Sequence, residues 1–185
     1  MHFTLEAQNR CRPNIPESSI AIDATAGNGF DTLFLAQCVG AQGRVLAMDI
    51  QADAILRTEW RVKQAGYSER VECILADHAQ LGLHVPRDYY GRVSCAMFNL
   101  GYLPHSDKSI VTKAPSTIEA LNALEPMLAP DAIVSILVYV GHQDGLAESL
   151  AVHAWITERS ERYQIERLVD LENPSSPILW LLRNR

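Results

Sequence analysis

The residues best suited to chemistry form one run, Asp23-Ala-Thr-Ala-Gly27-Asn28-Gly29-Phe30-Asp31-Thr32. An apolar stretch, Ser19 to Ala24, leads into two glycines one residue apart, and an amphipathic segment follows. Strand, tight glycine turn and helix in that order let a backbone come close to a nucleotide-like cofactor. A dinucleotide fingerprint carries a third glycine three residues after the second. Here that position is Thr32, which counts against NAD. No Gly-Lys-Ser/Thr follows the glycines, so the turn is not a phosphate loop. Asp49 closes a second apolar run, where a carboxylate can accept hydrogen bonds from two ribose hydroxyls. NAD and adenosylmethionine enzymes share that device, so Asp49 alone does not choose between them. S-adenosyl-L-methionine has no phosphate and does not need the third glycine. Asp23, Gly27, Asn28, Gly29, Asp31 and Thr32 could hold its amino-acid end. Asp49, Ile50 and Gln51 could hold its ribose, and Asp77 with His78 its adenine.

A second run, Asn99-Leu100-Gly101-Tyr102-Leu103-Pro104, suits an amine acceptor. A lysine-like amine has a reference pKa of about 10.4 and must lose its proton before it attacks a methyl carbon. Burial beside a cation lowers that pKa. What the enzyme then supplies is mainly acceptors that orient the N–H bonds. The Asn99 side-chain carbonyl and a backbone carbonyl of the turn can do this, also placing Asn99 at the cofactor's methyl end. Gly101 permits the turn, and Tyr102 can stack on a flat base. Alone, Asn-x-Gly-Tyr reads better as a structural turn with a core tyrosine; at a strand end beside a cofactor cleft it reads as a site. His142 can bind substrate or accept a proton. Asp107, Lys108, Lys113 and Thr117 lie beyond the same strand and can approach an RNA phosphate, with Lys113 reading better as a solvated charge.

These residues need a scaffold that brings strand ends together. Apolar runs predict strands at Ile20–Ala24, Arg44–Ile50, Arg70–Ala76, Val93–Phe98, Ala132–Val140, Tyr163–Val169 and Ile178–Leu182. Helical patterns fall at Asp31–Val39, Ala52–Ala65, Ser116–Leu128 and Gly145–Arg159. Alternation of the two predicts an α/β fold: a doubly wound, mostly parallel seven-stranded sheet with an antiparallel edge. The strands end on Asp23, Asp49, Asp77, Asn99 and Gly141, in keeping with a shared cleft beyond their carboxyl ends. Residues 1–185 read as one domain, with 1–18 an irregular lead-in.

The net charge of −6 argues against a nonspecific nucleic-acid binder, though not against an enzyme that docks RNA through a local patch. Arg159, Arg162 and Arg167 could form such a basic edge, although a helix-end charge explains Arg159 without RNA. Trp60, Trp155 and Trp180 sit in apolar patterns and read as packing residues. Cys11, Cys38, Cys73 and Cys95 form no C-x-x-C pair, so neither zinc nor a disulfide framework is expected. Cys73 and Cys95 read as buried thiols, which fits the cytoplasm. No apolar run reaches the roughly 18 residues of a membrane span.

The residues Asp23 to Ala36, Asp49-Ile-Gln51, Phe98 to Pro104, Asp107-Lys108, Ser116-Thr117, Tyr139 to His142 and Glu148 together resemble the class I adenosylmethionine-dependent methyltransferases. Within that class the chain is most similar to the small bacterial family labelled putative rRNA methylases, whose members include the transfer-RNA methyltransferase acting on 5-aminomethyl-2-thiouridine. The resemblance runs from about Ile20 to Leu182. It implies a Rossmann-like methyltransferase fold and S-adenosyl-L-methionine as cofactor. It also implies an RNA substrate, transfer RNA before ribosomal RNA, with no metal and no membrane, in a monomer or homodimer. Asn99, Tyr102 and His142 are then the expected catalytic residues. Leu100, Gly101, Leu103, Pro104, Asp107, Lys108 and Thr117 are the expected substrate contacts. A ribosomal-RNA base or a small amine is the alternative substrate. An NAD-linked oxidoreductase and a non-catalytic cofactor-binding module are the alternatives of another class. The chain departs from the family at His105 and Ser106, where glycines are usual, and at Phe30, where histidine is usual.

Overall fold

The computed structural model describes residues 2–103, 110–141, 144–173 and 175–185. Seven strands form one sheet: β1 (Ile20–Asp23), β2 (Arg44–Asp49), β3 (Val71–Leu75), β4 (Val93–Leu100), β5 (Leu128–Val138), β6 (Tyr163–Leu168) and β7 (Ile178–Asn184). Their order is β3-β2-β1-β4-β5-β7-β6, with β7 antiparallel to both neighbours and the pairs from β3 to β5 parallel. The parallel strands need helical crossovers. These are α2 (Phe30–Cys38), α3 (Ala52–Gln64), the short α4 (Leu81–His84) and α5 (Ala114–Leu124); α6 (Gly145–Thr157) then leads to β6, and α1 (Phe3–Cys11) precedes the sheet.

Side chains alternate across the strands and build a core on each face. Ile20 and Ile22 of β1, with Ala96 and Phe98 of β4, join Leu121 of α5 and Val152 of α6. Ala21, Cys95 and Met97 point the other way, toward Phe34 and Leu35 of α2 and Phe3 and Ala7 of α1. From β1 the chain winds outward to β2 and β3, whereas β4 and β5 lie on the other side. The crevice opens where that direction reverses, between β1 and β4. Ala24 N–H donates to Met97 O across this gap, holding the two strand ends side by side.

Three local expectations change. The lead-in is not irregular: Phe3, Ala7 and Cys11 recur at four-residue spacing, so α1 presents one buried stripe to the sheet. The helix expected over Ser116–Leu128 stops at Leu124, because Pro126 cannot donate into an α-helical ladder, and a 3-10 turn, Glu125–Met127, finishes it. β5 starts at Leu128 rather than Ala132. Its register against β4 jumps between Val93 and Cys95, and the bulge takes up Pro130 and Asp131, the latter at φ +60°.

Phe3 is the aromatic anchor of α1, buried against the β5–β7 face. Phe3→Ala should cost about 3 kcal/mol in urea unfolding. Amides of residues 3–11 should lose hydrogen-exchange protection first. Unchanged protection there would show that Phe3 does not hold the helix.

Candidate active site

Asp49 and the glycine turn shape each other. Asp49 Oδ2 accepts from Gly27 N–H at 2.9 Å, and Oδ1 accepts from Gln51 N–H at 2.9 Å. Gly27 and Gly29 both have left-handed backbone, with φ +53° and +77°. A Cβ on Gly29 would lie 2.8 Å from Thr58 Cα, so that glycine also lets α3 pack against the turn. Arg61 Nε donates to Asn28 O at 2.7 Å and secures the far side of the loop.

At the end of β4, Asn99 N–H donates to Thr25 Oγ1 at 2.7 Å, and its Nδ2 donates to Asp31 Oδ2 at 2.5 Å. The other Asp31 oxygen accepts from Gln8 Nε2 of α1 at 2.6 Å. A carboxylate can only accept, so the Asn99 amide is held one way round and offers Oδ1 to a ligand. Burial pushes the Asp31 carboxyl up, while the Gln8 and Asn99 bonds pull it back. The next backbone carbonyls are engaged: Leu100 O accepts from Tyr139 N–H and Gly101 O from Thr112 N–H. Of the two acceptors expected for an amine, the side-chain carbonyl is therefore the better placed. Gly101 fits because a Cβ there would lie 3.3 Å from Tyr139 Cβ.

These groups surround a cavity of about 320 Å³. Of the expected cofactor residues, Gly27, Asn28, Asp31, Asp49, Ile50, Gln51, Asp77, His78 and Asn99 line it. Of the expected substrate and catalytic residues, Gly101, Tyr102 and Leu103 do so. Asp23, Gly29, Thr32, Leu100 and Thr117 do not. Asp23 is fully buried and accepts from Thr32 Oγ1 at 2.6 Å, bolting the first turn of α2 to β1. Thr117 is buried and donates to Glu148 Oε1 at 2.6 Å; the other Glu148 oxygen accepts from Thr112 Oγ1 at 2.7 Å. Pro104, His105, Ser106, Asp107, Lys108 and His142 lie outside the described residues.

The cavity also takes residues to which the sequence assigned no contact: Thr4 of α1, Thr25, Phe30, Ile110 and Tyr139. A strand-end rule would have found Tyr139, which directly follows β5. Thr4 was hidden because α1 carries few apolar residues. His78 lines the cavity, its pKa lowered by burial against the opposing pull of Asp77 and Asp49. Among the described residues the lining holds Asp31, Asp49 and Asp77 and neither lysine nor arginine. A pyrophosphate would meet negative charge there without a cation, whereas a cofactor carrying positive charge and no phosphate is matched.

Elsewhere, two readings of side chains are corrected. Trp60 is exposed, at 62%, because α3 buries Ala54, Ile55, Thr58 and Val62 on the opposite side. Cys73 is only half-buried, because β3 is an edge strand. Arg159 and Arg162 pair with Glu125, which offsets part of the positive charge of this edge, and Arg167 lies over the Trp180 ring.

The Asp23 carboxyl is pushed up to about 7, first by burial and then by the charge on Asp31, against bonds from Thr32 and Thr25 that lower it. In an unfolded chain it ionises near about 3.9. Between those values the unfolded chain holds fewer protons, so this group makes stability fall as pH rises from about 4 toward neutrality. Asp23→Asn keeps an acceptor for Thr25 and removes the titration. Its unfolding free energy, followed by urea titration at a series of pH values, should be flatter across that window. A slope equal to that of the unsubstituted protein would remove Asp23 as its source.

The family model described as "Putative rRNA methylase" matches residues 45–183. A curated relative, the chloroplastic "tRNA (mnm(5)s(2)U34)-methyltransferase" of Arabidopsis thaliana, is 42% identical over 149 residues, covering 76% of this chain. The chain spans about half, 54%, of that relative's length. Among solved structures, a "putative rRNA-methylase" of Clostridium thermocellum superposes with a TM-score of 0.92 at 30% identity, covering 98% of this chain and 97% of that one. A "putative methyltransferase" of Streptococcus mutans in complex with SAH gives 0.86 at 26% identity, with the same coverage. The strand order, the glycine turn and the match over most of the chain agree: the chain belongs to the family described as "Putative rRNA methylase".

Proposed function

We propose that the chain is an S-adenosyl-L-methionine-dependent RNA methyltransferase. Its substrate is the aminomethyl nitrogen of a modified wobble uridine in transfer RNA. The observation that carries the reaction type is the Asp31–Asn99 hydrogen bond, which leaves an amide carbonyl oxygen as the acceptor at the end of β4. The Arabidopsis relative, named for that nucleotide, supports the substrate. The acidic lining supports the cofactor.

When bound, the cofactor supplies an electrophilic methyl carbon on a cationic sulfur. Asp49 would accept from the ribose hydroxyls with lone pairs left over from Gly27 and Gln51. Ile50 and His78 would flank the adenine, and Asp77 could accept from its amino group. The Gly27–Gly29 turn and Asp31 would receive the amino-acid end, with Asp23, Gly29 and Thr32 holding that turn and the start of α2 in shape. Asn99 Oδ1 accepts an N–H from the substrate amine and turns its lone pair toward the methyl carbon. Asp31, bonded to the Asn99 amide nitrogen, increases the electron density on that oxygen. Tyr102 stacks on the uridine, with Leu100, Gly101, Leu103 and Thr117 shaping the loop around it. Pro104, Asp107 and Lys108 contact the RNA, and His142 takes the amine proton.

The chain works as a single domain. Four free cysteines support a reducing compartment, the cytoplasm. Among the described residues no helix is long and apolar enough to cross a membrane, and no group of three His, Cys, Asp or Glu side chains could hold a metal ion.

Calorimetric titration should show adenosylmethionine binding and no comparable NAD binding; tight NAD binding would overturn the cofactor. Asn99→Ala should lower kcat about a hundredfold with the cofactor Kd nearly unchanged. Full activity in that variant removes Asn99 from the reaction. Mass spectrometry of nucleosides from cells lacking the gene should show unmethylated aminomethyluridine accumulating in transfer RNA. An unaltered transfer-RNA profile overturns the substrate.

A further inference from the structure

The outer face of α3 combines exposed apolar side chains with two arginines. Leu56 and Trp60 stand one turn apart, each 62% exposed, and Arg57 and Arg61 stand one turn apart beside them. With Asn28 these four side chains form a shallow depression of about 300 Å³. The arginines are held in place. Arg57 Nη1 donates to Asn28 Oδ1 at 3.1 Å, and Arg61 Nε donates to Asn28 O at 2.7 Å. The Arg61 guanidinium also lies 3.8 Å from the centre of the Phe30 ring.

Carboxylate pairing varies over the surface: Arg12 meets a sulfur, and Arg44, Arg70 and Arg92 meet backbone carbonyls. Arg10, Arg159, Arg162 and Arg183 each pair with a carboxylate. Among the described residues Arg57 and Arg61 pair with no carboxylate; they meet a side-chain amide, a backbone carbonyl and, for Arg61, the Phe30 ring. Each guanidinium has five N–H donors, so most of its donor capacity remains for a ligand. Glu59 lies on the flank of α3 away from Arg61, by the 100° step of the helix. The depression also adjoins the reaction cavity. Asn28 lines both, and Phe30, which lines the cavity, carries Arg61 on its ring.

An exposed indole with two anchored guanidiniums offers a flat π-face beside donors for a phosphate. That combination binds single-stranded nucleic acid: bases stack on aromatic rings while cations track the backbone. A sugar or an apolar peptide would not need two arginines without carboxylate partners. We propose that Trp60, Arg57 and Arg61 form a stacking platform for a single-stranded nucleotide of the substrate RNA, outside the reaction cavity. The inference rests on the RNA reading above and extends it to a second contact surface. It also accounts for how a chain of net charge −6 can hold a polyanion.

Full-length protein, Trp60→Ala, Trp60→Phe and Arg57→Gln should be titrated with short oligouridylate and with bulk transfer RNA. Trp60 is the exposed tryptophan, whereas Trp155 and Trp180 are buried, so RNA should quench the intrinsic fluorescence of the unsubstituted protein through Trp60. Trp60→Ala should weaken RNA binding about tenfold and abolish that quenching, with adenosylmethionine affinity unchanged. Trp60→Phe should recover most of the affinity. Arg57→Gln should lower the slope of log affinity against log salt by about one contact. Unchanged RNA affinity in Trp60→Ala, with the unsubstituted protein binding RNA, overturns the platform and leaves the RNA reading standing. If the unsubstituted protein binds adenosylmethionine but no RNA, the RNA reading fails and the platform falls with it. A change of oligomeric state in Trp60→Ala by light scattering would make this face an interface between two copies and overturn the inference.

Discussion

The site depends on one buried carboxylate being shared between two donors. Asp31 stands in the first turn of α2 and accepts from Gln8 of α1 on one oxygen and from Asn99 of β4 on the other. A buried carboxylate without such donors would cost several kcal/mol or take up a proton. The two donors keep it satisfied, and in return it fixes three elements around one point. Asn99 sits where β4 leaves the sheet, a place where an unsupported amide would turn between its two orientations. With Nδ2 bound to Asp31, only one orientation is compatible with the hydrogen-bond chemistry. α1 is consequently part of the site: through Gln8 it supports the residue that supports Asn99, and through Thr4 it forms part of the cavity wall.

The same logic of carboxylates setting backbone runs along the other strand ends. Asp49 closes β2 and accepts from Gly27, Asp77 accepts from Ala79 N–H, and Asp23 accepts from Thr25 N–H and the Thr32 hydroxyl. Residues of one chemical type therefore divide into two classes by burial. Asp23 is wholly enclosed and shapes the loop, whereas Asp49 and Asp77 shape the loop and also reach the cavity. The glycines belong to the same construction. Gly27 gives its N–H to Asp49, and Gly29 lets α3 come within contact of the turn through Thr58. A larger residue at position 29 would need both a strained backbone and a displaced helix.

This division marks how far the sequence could be read. Apolar runs ending on Asp23, Asp49 and Asn99 sufficed to locate the strands and the cleft, because both signals are local and period-independent. Whether a strand-end aspartate faces the ligand or its own helix depends on packing several residues away, and nothing in the run itself records it. α1 was missed because Phe3, Ala7 and Cys11 carry its buried stripe with polar residues around them. For Trp60 the deciding signal is its helical phase rather than its apolar character. At 100° per residue it falls opposite Ile55, Thr58 and Val62, on the solvent side. The Asn99–Asp31 bond joins residues 68 positions apart and leaves no trace in local pattern. The segments of the substrate loop that include Asp107 and Lys108, and His142, remain where the sequence left them, outside the described residues.

Charge is sorted across the molecule in a way that follows from the chemistry proposed for it. An RNA methyltransferase must admit a cationic cofactor and an amine to one place and a chain of phosphates to another. If cations lined the reaction cavity, phosphate would compete for it and the amine would be repelled. If acidic groups crowded the RNA-contacting face, phosphates would be repelled there. Here Asp31, Asp49 and Asp77 face the cavity, and Arg57 and Arg61 lie just outside it, with Asn28 as the wall between. At physiological salt the screening length is about 8 Å, so two neighbouring sites can hold opposite fields provided each keeps its charges at its own wall. Asn28 meets that condition by being neutral. Its carbonyl oxygens hold both guanidiniums on the outer side, which keeps their charge away from the cofactor while leaving it next to the entrance. The glycine turn thus acts as more than a cradle: its one polar side chain separates the region that draws in the cations from the region that receives the polyanion.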